Sequence, residues 1–135
     1  MYQFDLKIRV RYAETDQMGF VYYGNYATYF EVARVEMLRS LGVSYKSFEE
    51  MGVMMPITEY TIKYIRPAFY DDMLTIKTFL NEMPGKRIAF QYETYNEAEQ
   101  LLNKATTHLA FISSADKRPT EPPVVLLEKL QAYFS

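Results

Sequence analysis

Between Tyr26 and Leu41 apolar residues recur at helical spacing, as Tyr26, Phe30, Ala33, Met37 and Leu41, with Tyr29 and Leu38 widening the stripe. This is the longest helical signal in the chain, and the other strongly patterned segments alternate instead, so a single helix has to cover the sheet that the rest would build. The pattern predicts a helix of about 18 residues beginning near Gly24, roughly 27 Å long at 1.5 Å per residue. Gly42 supplies its stop signal.

Five segments carry the two-residue period of a strand. In residues 3–12, Phe4, Leu6, Ile8, Val10 and Tyr12 face one side and Gln3, Asp5, Lys7, Arg9 and Arg11 the other. The others centre on Tyr60–Tyr64, Leu74–Leu80, Ile88–Glu93 and Ala105–Phe111. Short turn-forming links at 67–72, 84–85 and 96–100 predict an antiparallel meander. Ser44–Met51 adds a turn or two of helix, Lys117–Pro123 is a loop, and Leu126, Leu127, Leu130 and Phe134 mark a short terminal helix. The expected fold is α+β: a five-stranded curved antiparallel sheet wrapped over one long central helix. Its edge strands would be open to pairing with a second copy, which predicts a dimer.

At 135 residues the chain fits one domain, residues 1–135. Fifteen basic against 17 acidic side chains leave a net charge of −2, which excludes a global field that gathers nucleic acid. Without cysteine there is no disulfide or thiolate metal site, and the lone His108 cannot build a multi-histidine one, so no such metal site is expected. No signal peptide or membrane span is legible, and the expected compartment is the cytoplasm.

One stretch stands out, Thr15–Tyr26, TDQMGFVYYGNY, a carboxylate followed by two glycines and many aromatics. On spacing alone, Asp16 is a turn residue bonding its own backbone, and Tyr22, Tyr23, Tyr26, Tyr29 and Phe30 are packing aromatics. Glu31 and Arg34, three apart on the helix, read as a surface ion pair. His108, on the polar side of the last strand, reads as structural. Lys86-Arg87 and Lys117-Arg118 read as solvated loop charges at strand ends.

Residues 10–38, VRYAETDQMGFVYYGNYATYFEVARVEML, resemble the signature of hotdog-fold acyl-CoA thioesterases of the 4-hydroxybenzoyl-CoA thioesterase type, including the Tol-Pal-associated branch. The similarity continues through residues 57–76, ITEYTIKYIRPAFYDDMLTI. The resemblance implies a hotdog fold, a homodimer or homotetramer, and hydrolysis of an acyl-CoA substrate without metal or organic cofactor. It places the catalytic aspartate on Asp16. The carbonyl-polarising amide at the start of the central helix falls on Tyr23 or Gly24. Many close relatives carry a histidine where this chain has Tyr23, so the amide is kept here while the imidazole is absent. Glu31 is the reserve carboxylate, since other hotdog branches place theirs on this helix. Substrate contacts are expected from Tyr26, Phe30 and Tyr60 on the acyl side, and from Lys86, Arg87 and Arg118 on the phosphates of coenzyme A.

Those residue types suit thioester cleavage. The reaction needs a nucleophile or an activated water, with donors aimed at the oxygen that becomes negative. An ionised aspartate supplies the first in either role, and the unpaired N–H groups of a helix N-terminus supply the second. Two other functions fit a hotdog scaffold: a noncatalytic module binding acyl-CoA or an acyl carrier protein, and a dehydratase acting on hydroxyacyl thioesters. The latter calls for a histidine beside its carboxylate, and the Asp16 segment has none.

Overall fold

The computed structural model describes residues 1–134. Five long strands form one antiparallel sheet: β1 (Tyr2–Arg9), β3 (Ile57–Tyr64), β4 (Met73–Leu80), β5 (Arg87–Tyr95) and β6 (Leu101–Ala110). A separate pair joins β2 (Val53–Met54) to β7 (Ile112–Ser113). Three α-helices complete the chain: α1 (Asn25–Ser40), α2 (Tyr45–Glu50) and α3 (Val124–Leu130).

Strand alternation predicts the faces of β1, β4 and β5, whereas the edge strand β3 is exposed on both sides except at Ile62. One cross-strand row on the outer face runs Asp5, Lys77, Glu93, Lys104 and Lys63, so that side is kept for water. The inner face carries Leu74, Ile76, Leu80, Ile88, Phe90 and Tyr92 into a core shared with Tyr26, Tyr29, Phe30, Ala33 and Met37 of α1. Each fully buried side chain of this size contributes about 1.5–3 kcal/mol relative to exposure. The helical stripe read from the sequence is therefore the core-facing side of α1.

Three expectations need correction. The helix is shorter than predicted, at 16 residues, and α2 and α3 hold the remaining α-helical residues. Its start is set back because Gly24 occupies the N-cap without a side chain to cap it. Its end is set by Gly42 at φ +86°, where Gly42 N–H bonds Arg39 O at 2.9 Å and Val43 N–H bonds Leu38 O at 3.1 Å. That pair of bonds is a Schellman motif, which a residue without Cβ allows.

The meander holds only for β4-β5-β6. The sheet order is β1-β4-β5-β6-β3, so β3 and β4 are not neighbours although their link is short. The link instead pairs with the segment after β1: Val21 N–H bonds Ala68 O at 2.8 Å, Val10 N–H bonds Asp72 O at 2.9 Å and Asp71 N–H bonds Val10 O at 3.0 Å. Backbone groups met there replace those of a hairpin. Finally, β1 stops at Arg9, and Tyr12 opens a 3₁₀ turn (Tyr12–Glu14) with its ring exposed.

Among the described residues no helix is long and apolar enough to cross a membrane. Nor does any group of three or more His, Cys, Asp or Glu side chains there stand ready for a metal ion.

Candidate active site

The loop between β1 and α1 is held at two points. At the first, Glu14 is buried although it is charged. Its Oε1 accepts from Arg11 N–H at 2.8 Å and from the Tyr29 hydroxyl at 2.9 Å, while its Oε2 accepts from Arg11 Nη2 at 2.9 Å. The Glu14 carbonyl takes the Asn25 side-chain amide and the Tyr22 N–H, each at 2.8 Å. Burial works to raise the Glu14 carboxyl, but the bonds from Arg11 and Tyr29 outweigh it and hold the group below the ordinary carboxylate range. Burial, then the bond to Glu14, pushes the Tyr29 phenol well above its usual value. This clasp fastens the loop to the first turn of α1.

The second point is the turn at Asp16. Its Oδ1 accepts from Met18 N–H at 2.9 Å and Phe20 N–H at 3.3 Å, and Gly19 N–H closes on Asp16 O at 3.0 Å. Gly19 sits at φ +80°, where only glycine is unstrained. The turn foreseen from the sequence is thus present. It engages Oδ1 and leaves Oδ2 without a hydrogen bond to any described residue.

Asp16 lines a cavity of about 290 Å³ together with Met18, Phe20, Tyr23, Tyr26 and Tyr64. The start of α1 forms another wall. Asn25 N–H bonds Tyr22 O at 2.9 Å and Tyr26 N–H reaches Tyr23 O at 3.3 Å, whereas the Tyr23 and Gly24 N–H groups find no acceptor among the described residues. With no capping side chain, this end of the helix keeps its donors and the positive end of its dipole free. A Cβ on Gly24 would come within 2.7 Å of Tyr22 Cε2, so the bare face of this glycine is taken by the Tyr22 ring.

Tyr26 is the inner wall. Its ring lies 5.8 Å from Tyr64, 5.6 Å from Tyr29 and 6.2 Å from Phe30. Burial first, then the neighbouring Tyr64 and Asp72, pushes its phenol up to about 12, so it stays neutral at physiological pH. Tyr64 donates to the Tyr23 carbonyl at 3.2 Å and fixes the rim.

The predicted residues therefore divide. Asp16, Tyr23 and Tyr26 meet around one cavity, with Gly24 adjoining. Phe30 is fully buried behind Tyr26, stacked on Tyr92 at 4.5 Å, and Tyr60 packs on Phe30 at 6.2 Å from the β3 edge; neither lines the Asp16 cavity. Arg87 lines a separate cavity of about 500 Å³ with His108, Glu82 and Pro84. Phe111 N–H bonds Lys86 O at 2.9 Å and Ser113 N–H bonds Arg118 O at 2.8 Å, which ties both basic segments to the far end of β6. Along that strand Ala110, the partner of Arg87, is seven residues from Asn103, the partner of Tyr64, or roughly 23 Å at 3.3 Å per residue.

Two residues carry more than their spacing suggested. Arg34 is not in a surface ion pair: it is 4% exposed and donates to the Tyr45 and Tyr92 hydroxyls, each at 3.2 Å. Glu14 gave no sequence signal, since Arg11 has no acceptor and only the Glu14 half of a capping box, Arg11 N–H to Oε1, is formed.

The family model described as the thioesterase-like superfamily matches residues 10–130. A Bacillus subtilis protein described provisionally as an acyl-CoA thioesterase, YneP, is 35% identical over 115 residues, covering 85% of this chain and 83% of its own. The acyl-CoA thioester hydrolase YbgC of Escherichia coli O6:H1 is 33% identical over 116 residues, covering 86% and 87%. Among solved structures, the DHNA-CoA thioesterase of Staphylococcus aureus superposes with a TM-score of 0.85 at 35% identity, covering 99% of this chain and 85% of that one.

Proposed function

The chain belongs to the thioesterase-like superfamily, with its hotdog fold, and on that premise we propose that it hydrolyses an acyl-CoA thioester to the free acid and coenzyme A. The observation that carries this reading is the meeting, around one cavity, of a carboxylate with a free oxygen and of Tyr23 at the helix start, whose N–H is unused, with the unused Gly24 N–H adjoining. The thioester carbonyl sits with its oxygen toward the Tyr23 and Gly24 amides, which take up the charge as the carbon becomes tetrahedral. Asp16 Oδ2 acts from the other side. As general base it takes a proton from the water whose oxygen bonds the carbonyl carbon. As nucleophile it bonds that carbon itself, forming an anhydride that water then opens. In both cases the carbon–sulfur bond breaks and the thiolate of coenzyme A leaves and is protonated.

The hydrogen bonds on Oδ1 hold the carboxylate in place, so the turn supports the chemistry as positioning. Tyr26 and Tyr64 receive the first part of the acyl group, with Phe30 and Tyr60 setting depth behind them. Since Arg87 lies roughly 23 Å along β6 from the Tyr64 wall of this cavity, with Arg118 tied just beyond that end of the strand, we assign their contact with the coenzyme A phosphates to a neighbouring subunit of a homodimer or homotetramer. The reading takes residues 1–135 as one catalytic domain, its sheet curled over α1.

One observation favours a second reading, a noncatalytic acyl-CoA or acyl carrier protein binding module: half of the Asp16 carboxylate is already spent on the turn. Release of free thiol from a panel of aliphatic and aromatic acyl-CoAs, followed with a thiol reagent, separates the two. Turnover above the buffer rate is expected for at least one. Binding without release from any member would overturn the hydrolase.

A further inference from the structure

Arg34 is a cation enclosed in the core, and nothing in the proposed reaction uses it. Among the described residues no carboxylate lies within 4.0 Å of its guanidinium. Its two acceptors, the Tyr45 and Tyr92 hydroxyls, are neutral at pH 7, since burial pushes the first up and the second up to about 12. A guanidinium has five N–H donors in a planar fork and does not give up its proton. Two are accounted for, by Nε and Nη1, and Nη2 bonds no described residue. Burying a charge is costly unless it is paired, so an arginine left this way is an open demand for an anion.

The free edge of the fork is not sealed in. Arg34 lines a cavity of about 270 Å³ whose other walls are Tyr45, Val53, Met55 and Ile57, with Glu31 and Glu49 also lining it. That is one aromatic and three aliphatic surfaces around one cation. Glu31 and Glu49 are exposed and neither lies within 4.0 Å of the guanidinium, so neither pairs with it. Their charge weakens every anion here and disfavours a multiply charged one such as a phosphate most. The volume is slightly below the usual range for a ligand site, which limits the occupant to a small one.

We propose that this cavity is a carboxylate site, taking a small monocarboxylate with an apolar body so that its two oxygens meet the outward edge of Arg34 and its body lies on Val53, Met55 and Ile57. Bidentate pairing with a carboxylate is the geometry the fork is built for. Two sources share this chemistry: a free carboxylic acid, such as the product of thioester hydrolysis, or the far end of a dicarboxylic acyl group. The site stands apart from the Asp16 cavity, ten residues along α1 from Gly24, or roughly 15 Å. Tyr92, bonded to Arg34 and stacked on Phe30, connects them. Only the naming of these two sources rests on the hydrolase reading.

The test is a titration of the full chain with sodium hexanoate and, separately, with uncharged hexanamide, followed by calorimetry and by the ¹⁵N resonance of Arg34 Nε. Hexanoate is expected to bind saturably and shift that resonance, with hexanamide at least about tenfold weaker. Val53→Phe fills the cavity while leaving Arg34 in place and is expected to abolish binding. Arg34→Lys keeps the charge, loses the fork, and should weaken binding by about tenfold. No saturable shift, equal affinity for the amide, or unchanged binding in a folded Val53→Phe chain would overturn the site. To tell the sources apart, dodecanedioyl-CoA and dodecanoyl-CoA are compared, because only a chain of about twelve carbons spans the roughly 15 Å between the two sites. A rise in KM for dodecanedioyl-CoA alone in Val53→Phe assigns the distal carboxyl, and two unchanged KM values with hexanoate still binding the wild type assign the free acid. Absence of thiol release from every acyl-CoA would refute the hydrolase and leave the hexanoate titration fully readable.

Discussion

Replacing Glu14 by Gln and Tyr29 by Phe, singly and together, isolates the bond that fastens the Asp16 loop to α1. The Tyr29 hydroxyl donates to Glu14 Oε1 at 2.9 Å, and the Tyr29 ring is 2% exposed, so the contact is shielded from water. A hydrogen bond to a charged group contributes about 1.5–3 kcal/mol. Arg11 on the other side of the carboxylate is in solvent, where screening leaves little of the pairing. Tyr29→Phe should therefore lower stability by about 1.5–3 kcal/mol, and Tm by roughly 5–10 °C in a chain of this size. Glu14→Gln keeps an amide oxygen for the Tyr29 hydroxyl and loses only the charge, so it should cost about 1 kcal/mol, the difference between a charged and a neutral hydrogen bond, and the double variant should cost less than the sum of the two because that charge-assisted part is lost only once. Urea unfolding at pH 7 measures the coupling directly. A coupling below about 0.5 kcal/mol would mean the two residues act independently, which refutes the clasp.

The pH dependence gives a second check on the same variants. The folded chain holds the Glu14 carboxyl below its ordinary range, so the unfolded chain binds its proton first. The contribution of Glu14 is therefore complete above an ordinary carboxylate pKa of about 4.3, and it is lost as pH falls through the lower, folded value. The stability gap between wild type and Glu14→Gln should close across that acid range. A gap that widened on acidification would have the wrong sign.

Two further outcomes follow from the remaining geometry. The hydroxyls of Thr78 and Thr94 are buried with no partner among the described residues, so Thr94→Val and Thr78→Val should each raise stability by about 1 kcal/mol in urea unfolding; a loss would show that these hydroxyls are satisfied in solution. Arg87→Ala and Arg118→Ala should raise KM for the preferred acyl-CoA and leave kcat nearly unchanged, as expected when uniform binding is removed. Unchanged KM in both would withdraw them from the coenzyme A site.

The sequence carried the local part of this structure. Alternation in residues such as Phe4, Leu6 and Ile8 follows from the two-residue period of a strand, and Gly42 ends α1 because a positive φ is needed there. Pairing partners were not legible, since nothing local says that β3 passes over the hairpin position to reach β6. Charge spacing misled for the same reason. Glu31 and Arg34 sit at a spacing typical of a solvated pair, yet the register of α1 on the sheet turns Arg34 inward toward Tyr92. Glu14 carried no local signal, because the Tyr29 hydroxyl that accompanies its burial lies fifteen residues on. Asp16 and Tyr23 were visible because their motif is contiguous, whereas the cavity they share is also built by Tyr64 from a strand position 41 residues beyond Tyr23.

The most direct measurement of the central claim is steady-state thiol release by Asp16→Asn on the best acyl-CoA of the panel, beside the wild type. Asparagine offers an oxygen to the Met18 and Phe20 amides, so the turn should persist and unchanged circular dichroism verifies it. With a carboxylate acting as base or nucleophile, kcat should fall by about 10²-fold or more. Turnover within about threefold of wild type would contradict the role given to Asp16.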